Sequence, residues 1–554
     1  MKKISNLVFN FFFLLLTGIY SFSFPQNRMN DLLRRNKYRI DDWISYSDMK
    51  YITSIAVGRS YIYFGSTNGI LRYSRFYNEW DYPFTKSNGL ADDRILVVAF
   101  DWSTDFIWAA HSKGISYYRD GMNWWNNISK SEIGMNSQEN LLSIGIDNNN
   151  IWIETDKRYY IGDKLGGNFH WTNPPVDKYK NKIIWFGKKA LKKFDFPLFI
   201  SEPEYLFFPE GYIRDKYFHN YNISYFTEDD RENLWLGTWG LGAAVGNLRT
   251  DFLNVLRFGL YQNSVEAIED DDGIVWIGGL AKNELSHGIT LWDRRKDKWE
   301  HIDIQKLAAF QNYSITSIKA DSHFVWIGTL DGLMRYDKKK NSWKLYTVFN
   351  NLRDNLIYKL DMDEDGVWVA TGSGVNLIKY PEYKVHNFQN KLLKNTRVYD
   401  IKCDGFIVWA ATRRGIFKYD KFLQQWSSVK GSSEIVIPTT TAIGKWKNEL
   451  WFATGGGIQF FNKKTKKWQA FPQFHYFENT RINSIIPSEN YVWVGTETGL
   501  YKFNREKKYW IVYTSADGLI DDSVRTIVLE GNYLWLGTRK GLTFFLWNRR
   551  GRID

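Results

Sequence analysis

Arg397 and Arg481 each stand twelve residues before a tryptophan, Trp409 and Trp493; Arg525 stands ten before Trp535, and Arg94 lies near the corresponding place before Trp108. Guanidinium groups gathered at one mouth would form a basic site able to grip carboxylated or sulfated ligands through paired hydrogen bonds. The alternative is that each arginine is solvated or structurally paired. These four are the candidate ligand-binding residues.

Paired acids recur as Asp92–Asp93, Asp229–Asp230, Asp270 to Asp272 and Asp521–Asp522. Two carboxylates facing one cleft can divide glycosidic acid and base work between them, yet these fall between repeating hydrophobic segments, where aspartate favours turns. The eight histidines, His111, His170, His219, His287, His301, His323, His386 and His475, occupy unrelated positions, with no HxH or HExxH spacing. With a single cysteine, Cys403, there is neither an intramolecular disulfide nor a cysteine-built zinc site. Neither a GxSxG elbow nor a P-loop occurs. No catalytic residue, metal site or cofactor is expected.

The elements that must position these residues are written in a period. "VWIGTLDGLMRY" at Trp326 returns at Trp368, Trp409, Trp451, Trp493 and Trp535, in steps of 42, 41, 42, 42 and 42 residues. Looser copies stand at Trp276, Trp235, Trp152, Trp108 and Tyr63. Within the unit around Trp493, "TRINSIIPS", "YVWVGTE", "TGLYKFN" and "YWIVYTS" read as four strands separated by turns, with Gly495 where a neighbour leaves no room for a side chain and Gly499 suited to a turn with positive φ. Four antiparallel strands in about 42 residues make one propeller blade. Six residues separate the turn residue from the next tryptophan in Asp337 to Trp343, Asp420 to Trp426 and Asn504 to Trp510, so the hairpin is constant. An apolar residue stands eleven before the anchor in Val265, Ile315, Ile357, Val398, Ile482 and Val524 and is expected to pack blade against blade. The tryptophans themselves share one register in the second strand, which makes them core rather than sugar-stacking platforms.

Such sheets bury their faces only by stacking into a closed ring. The sequence ends on a third strand, while "DDWISYSD" (41–48) resembles "YWIVYTSAD" (509–517), so residues 42–47 are expected to supply the outer strand of the last blade. Eleven anchors and a worn copy at 197–211, in the gap between Trp152 and Trp235, give about twelve blades. That exceeds the usual ring and suggests two, one inserted in the other, with the crossing inside the irregular stretch 160–222. The fold class expected is all-β, a β-propeller with four-stranded blades closed by both ends of the chain.

The stretch "TSADGLIDDSVRTIVLEGNYLWLGTRKGLTFF" (514–545) resembles the two-component regulator propeller repeat, and "SNGLADDRILVVAFD" (87–101) is similar to its first half. The resemblance runs over 41–554, strongly from 224 onward. It implies a β-propeller of the kind that commonly serves as the extracytoplasmic sensor of hybrid histidine kinases, often recognising glycans. The kinase segments of that family are not expected in this sequence, so a separate membrane sensor kinase or cell-surface complex would be a partner. The chain is also similar to the propeller part of surface assembly factors of type IX secretion.

The 554 residues are 44% hydrophobic, 24% charged and 18% aromatic, the composition of a globular protein. Residues 1–23, with Lys2, Lys3 and an apolar run through Leu16, read as a secretory signal peptide, an uncleaved anchor being the alternative. Leaving them out removes two lysines and no acids, so the net charge of +12 becomes +10. Much of the excess sits in hairpin tips such as "KKKNSW" and "KKTKKW", which fits solubility and edge protection or a rim for polyanions, and gives no nucleic-acid recognition element. The function expected is an exported, periplasmic or cell-surface, non-catalytic binding or sensor-like propeller for a glycan or partner protein. A polysaccharide-cleaving enzyme using loop carboxylates and a surface assembly scaffold are the alternatives.

Overall fold

The computed structural model describes residues 34, 37–176, 182–190, 195–281, 288–304, 312, 314–388, 391–429, 439–455, 457–470, 477 and 480–552. The leader 1–23, His287 and His475 lie outside them. Among the described residues eleven sheets follow one another along the chain, each centred on one of the anchors and antiparallel except where Ile200–Ser201 runs parallel to Phe252–Leu256. The expected count of about twelve becomes eleven because the segment 197–211 makes no sheet of its own. Its strands Ile200–Ser201 and Tyr205–Phe208 join the Trp235 sheet, which thereby reaches seven strands.

Three residues of the motif explain how a blade is built and joined. The anchor tryptophans are buried, apart from the half-buried Trp152; Trp326, Trp368 and Trp493 are at most 1% exposed, as the core reading requires. In several blades the indole N–H reaches an acid five residues back, Trp326 to Asp321 (3.2 Å), Trp368 to Asp363 (2.9 Å) and Trp535 to Glu530 (2.9 Å), whereas those of Trp108, Trp276, Trp409 and Trp493 find no partner among the described residues. The threonine three residues beyond hooks the turn, its Oγ1 donating to the glycine carbonyl in Thr329 to Gly332, Thr371 to Gly374 and Thr538 to Gly541, each 2.8 Å. The glycine between them is the join. A Cβ on Gly328 would lie 2.7 Å from Ile357 of the next blade, and one on Gly495 would lie 2.9 Å from Val524. The apolar residues eleven before each anchor are therefore the surfaces against which those glycines close.

Following these joins gives two groups. From the Trp276 blade the contacts run Gly278 to Ile315 and Gly328 to Ile357. They continue through Cys403 N–H to Asp361 (2.7 Å), Ile443 N–H to Asp400 (2.7 Å) and Thr441 to the Ile482 carbonyl (2.9 Å), then Gly495 to Val524. Gly537 returns to Val265, whose N–H donates to the Thr538 carbonyl (2.8 Å), and seven sheets are closed. The last of them takes its outer strand from Trp43–Tyr46, paired with Leu542–Leu546 in the expected register, Trp43 opposite Phe545. The two rings stack at 3.6 Å and 6°.

The other four sheets lie in the chain between that strand and Val265. Here Gly237 abuts Ile52 and Gly65 abuts Ile95, while Ser224 and Thr53 donate to the carbonyls of Ile52 (2.6 Å) and Ile95 (2.9 Å). Strand Ile184–Gly187 pairs with the free edge of the innermost strand Leu141–Ile146 and packs on strands 52–57 and 95–101, with Gly187 N–H bonded to the Tyr225 hydroxyl. The chain crosses between the groups at 47–51 and 257–266, not within 160–222. That irregular stretch is spent on extra strands of the Trp152 and Trp235 sheets. The two crossings run together, Leu260 N–H to Ser47 O (2.9 Å) and Lys50 Nζ to Tyr261 O (2.7 Å), over a core shared by both groups that includes Met49, Trp235, Phe258, Trp299 and Trp535.

Candidate ligand-binding mouth

In nearly every sheet the innermost strand opens with a bulge, as at Ile357/Lys359, Val398/Asp400, Ile482/Ser484 and Val524/Thr526. The extra residues of these bulges in the seven-sheet ring are Thr316, Tyr358, Tyr399, Thr441, Asn483 and Arg525, and Glu266 holds the same place, ten residues before its anchor, in the Trp276 sheet, which has no bulge. Where it is threonine or asparagine, it ties the blades by donating to the next blade's bulge carbonyl, as Thr316 does to Ile357 O (2.8 Å) and Asn483 to Val524 O (2.9 Å). Where it is not, the place is open to other chemistry.

Arg525 reaches forward to Glu266 (3.5 Å) and donates to Glu497 (2.7 Å), which also accepts from Ser523 (2.7 Å) and Asn483 (3.2 Å). Burial by itself would raise the Glu497 carboxyl, but the Ser523 hydroxyl and the Arg525 guanidinium outweigh it and hold it below the ordinary range. Glu266 goes the other way: burial raises it, and Arg525 offsets this only in part. Arg525 Nε and Glu266 Oε1 are buried without a hydrogen bond.

Arg397 lies over the rings of Tyr358 (5.5 Å) and Tyr399 (5.9 Å), which meet edge-on at 6.1 Å. Arg481 and Arg525 open the first strands of the Trp493 and Trp535 sheets as Arg397 does that of the Trp409 sheet, and Arg481 is near enough to Tyr358 and Glu266 to act on both electrostatically. Arg94 stands just before strand Ile95–Asp101 of the Trp108 sheet, in the other group of sheets, and so apart from these three.

Arg413 and Arg414 were missed by spacing from the anchor. They fill the two turn positions between Thr412 and Gly415, held by Arg413 N–H to the Arg397 carbonyl (3.1 Å) and Arg414 N–H to Thr412 Oγ1 (3.0 Å). The same positions hold Leu330–Asp331, Gly372–Ser373 and Glu497–Thr498 elsewhere, and Arg539–Lys540 in the Trp535 blade, where Asp521 faces both (3.7 and 3.3 Å); a basic turn was the available signal. Together with Gly372, Asn395, Thr396 and Arg397 they line a cavity of about 440 Å³. All three arginines are exposed, and none is ion-paired with an acid among the described residues.

Deeper in the ring, charges alternate. Lys319 pairs with Glu269 (2.7 Å), and Lys359 and Lys402 lie among Asp361 and Asp400. Burial lowers Lys359 and raises Asp400, each opposed by the other's charge; burial also acts against Lys402, but Asp361 and Asp400 raise it overall. The cationic excess is at the rim.

The acid pairs are engaged in turns and ion pairs. Asp93 accepts Lys86 N–H (2.6 Å), Asp522 accepts Ser515 N–H (2.6 Å), and Asp229 accepts the Trp235 indole (2.9 Å). Asp271 and Asp272 pair with Lys338 (2.6 Å) and Arg295 (2.8 Å). Among the described residues no three His, Cys, Asp or Glu side chains are grouped to hold a metal ion. Two other cavities are less open to a charged ligand. One of about 410 Å³ has Arg59 already paired to Asp105 (2.5 Å), and one at the crossings, beside Lys50 and His301, is only about 50 Å³.

No known family model matches this chain, and no curated protein matches it in sequence. Among solved structures it is similar to PorZ, described as an essential bacterial surface component of the type-IX secretion system of Porphyromonas gingivalis. Identity there is 12%, covering 91% of this chain and 87% of that one, with a TM-score of 0.57. Extracellular domains of two candidate hybrid two component systems of B. thetaiotaomicron are also similar. They are 16% and 18% identical, cover 90% and 88% of this chain and 70% and 73% of theirs, and have TM-scores of 0.46 and 0.44. At such identities the likeness speaks for the fold, and the fold is an all-β propeller. No helix among the described residues is long and apolar enough to cross a membrane.

Proposed function

We propose that the chain is an exported, non-catalytic recognition protein whose seven-sheet ring binds an anionic ligand at its arginine mouth. The observation that carries this reading is the set Arg397, Arg413 and Arg414 around one cavity with no acid paired to them, when Arg525 a few blades away is held by two. A guanidinium left unpaired at the rim keeps its planar donor fork available for a carboxylate or sulfate. Tyr358 and Tyr399 beneath Arg397 add aromatic faces of the kind that stack on sugar rings. The ligand class is therefore a carboxylated or sulfated glycan, or an acidic segment of a partner protein. The four-sheet group is a second propeller-like domain inserted into the first, and residues 1–23 are its export signal.

The repeat resemblance supports a sensor-like setting, with a separate membrane kinase or surface complex as the receiving partner. The likeness to a surface secretion component adds an assembly role to what is tested. The experiment is a thermal-shift screen of residues 24–554 against acidic and neutral glycans and acidic peptides, with product analysis of every hit. Stabilisation by an anionic glycan recovered intact supports recognition. Cleaved product replaces it with the carboxylate enzyme, and stabilisation only by neutral glycans removes the arginine mouth from the account.

A further inference from the structure

The end of the ring opposite the arginine mouth carries the turns between first and second strands and between third and fourth. In each blade the second kind is docked on the first. Lys338 N–H donates to His323 O (3.0 Å), Lys421 to Phe406 O (3.0 Å), Lys463 to Asn448 O (2.8 Å) and Arg505 to Asn490 O (2.9 Å). The two tip residues that follow are Lys339–Lys340, Lys464–Thr465 and Glu506–Lys507 in three of these blades. In the Trp409 blade they are Phe422 and Leu423, 89% and 65% exposed, beside Phe406 at 77%.

The fold does not ask for those side chains. Asp420 accepts the N–H groups of Phe422 and Leu423 at 3.0 Å each. Asp337 does the same for Lys339 and Lys340 at 3.1 and 2.9 Å, and Asn504 for Glu506 and Lys507 at 3.0 and 2.9 Å. One turn geometry thus serves lysine, glutamate and phenylalanine alike. Three large apolar side chains held in water at a single spot mark an interaction surface rather than a folding requirement.

The surroundings identify the partner. Lys339, Lys340, Lys464, Lys466, Lys507 and Lys508 are exposed on tips of the same face, and none is ion-paired with an acid among the described residues. The tip of the adjoining Trp451 blade is cationic, as are those of the Trp326 and Trp493 blades one step further round, while the Trp368 tip carries Pro381 and Glu382 and Lys421 holds the acids Glu364 (3.0 Å) and Asp365 (2.8 Å). A projecting apolar tip on a face with this cationic excess matches an anionic lipid surface: the apolar side chains enter the boundary of the acyl region while the lysines meet the headgroups. A protein partner would need a concavity shaped to the tip, whereas a bilayer yields to it. We infer that this face docks on an anionic membrane surface through Phe406, Phe422 and Leu423. Docked so, the ring presents its arginine mouth away from the lipid, open to ligand.

The test uses residues 24–554, so that the apolar leader contributes nothing, sedimented with vesicles of phosphatidylcholine alone or mixed equally with phosphatidylglycerol. The expected result is binding to the anionic vesicles only, weakening as salt screens the lysines beyond about 10 Å at 0.1 M. Phe422→Ser with Leu423→Ser should lower partitioning at least about tenfold, and Lys464→Glu with Lys466→Glu should lower it less and flatten its salt dependence. Because these side chains are exposed, the melting temperature of each variant should stay at the wild-type value. Failure to bind anionic vesicles, or equal binding by the Phe422→Ser, Leu423→Ser variant, overturns the inference. A dimer seen by light scattering that this variant dissociates also overturns it, assigning the face to a second copy of the chain.

Discussion

The two groups of sheets are built from the same strand pattern and differ at their centres. In the seven-sheet ring the innermost strands face an axis lined by Lys319, Glu269, Lys359, Asp361, Asp400 and Lys402 and capped by the arginine mouth. In the four-sheet group the free edge of Leu141–Ile146 is taken by Ile184–Gly187, and Gly187 has no room for a Cβ against Val97 (2.6 Å) and the Leu142 carbonyl (2.6 Å). One interior is left to charged side chains, the other is filled by backbone. The difference teaches that one repeat can surround either an axis left to charged side chains or one closed by backbone.

The comparison breaks most severely if the seven-sheet ring is not held shut by its N-terminal strand. Trp43 is 1% exposed, stacked on Phe545 and packed with Tyr38 and Tyr513. Trp43→Ala should cost about 3 to 5 kcal/mol in urea unfolding, and a cost near zero would mean that closure lies elsewhere.

Next in size is an acid effect that arises in the four-sheet group at His111, beside one of the same sign from the buried His301 of the seven-sheet ring. His111 stands where most blades have the hooking threonine, and it is buried, with Nε2 2.8 Å from Ser116 Oγ. Burial pushes its pKa down to about 4, so the folded state keeps the ring neutral. The unfolded chain binds that proton from about pH 6.5. Stability from this group is therefore complete above pH 6.5 and lost as the pH falls toward 4, by up to about 3 kcal/mol. His111→Thr, which restores the repeat's own residue, should remove that part of the slope of stability between pH 6.5 and 4.

A smaller effect sharpens the joins. A Cβ on Gly537 would lie 2.8 Å from the Val265 carbonyl, backbone at the ring's closing seam. Gly537→Ala should cost about 1 to 3 kcal/mol by thermal unfolding, more than Gly328→Ala, whose nearest neighbours are side chains, Ile357 and Thr316. Smallest is the hook itself: Thr371→Val gives up the hydrogen bond donated to the Gly374 carbonyl and the one accepted from Ser373 N–H (3.2 Å), and should cost about 1 to 2 kcal/mol.

Much of this was legible in the sequence because a repeat exposes its own reasons. Gly495, the buried tryptophans and the residues eleven before them sit where the period put them, and residues 42–47 were placed in the last blade by matching Trp43 to Trp510. The four-sheet group was less legible. Strands Ile184–Gly187 and Tyr205–Phe208 are additions to existing sheets, and an added edge strand carries neither an anchor tryptophan nor a turn glycine. Arg397, Arg481 and Arg525 stood out as candidates because their strand register is periodic. Arg413 and Arg414 were passed over as ordinary turn residues, although nothing in a turn of this type requires arginine.

The central claim is that the mouth holds anions through arginines the fold leaves unpaired. Its most direct test is calorimetric titration of residues 24–554 with a sulfated oligosaccharide, beside Arg413→Ala with Arg414→Ala and beside Arg94→Ala. The account predicts binding by the wild type and by Arg94→Ala, and a loss of at least about tenfold in the double variant, with its stability unchanged, since each charge-assisted contact is worth roughly 1.5 to 3 kcal/mol. Equal binding by the double variant, or loss on removing Arg94 instead, would contradict it.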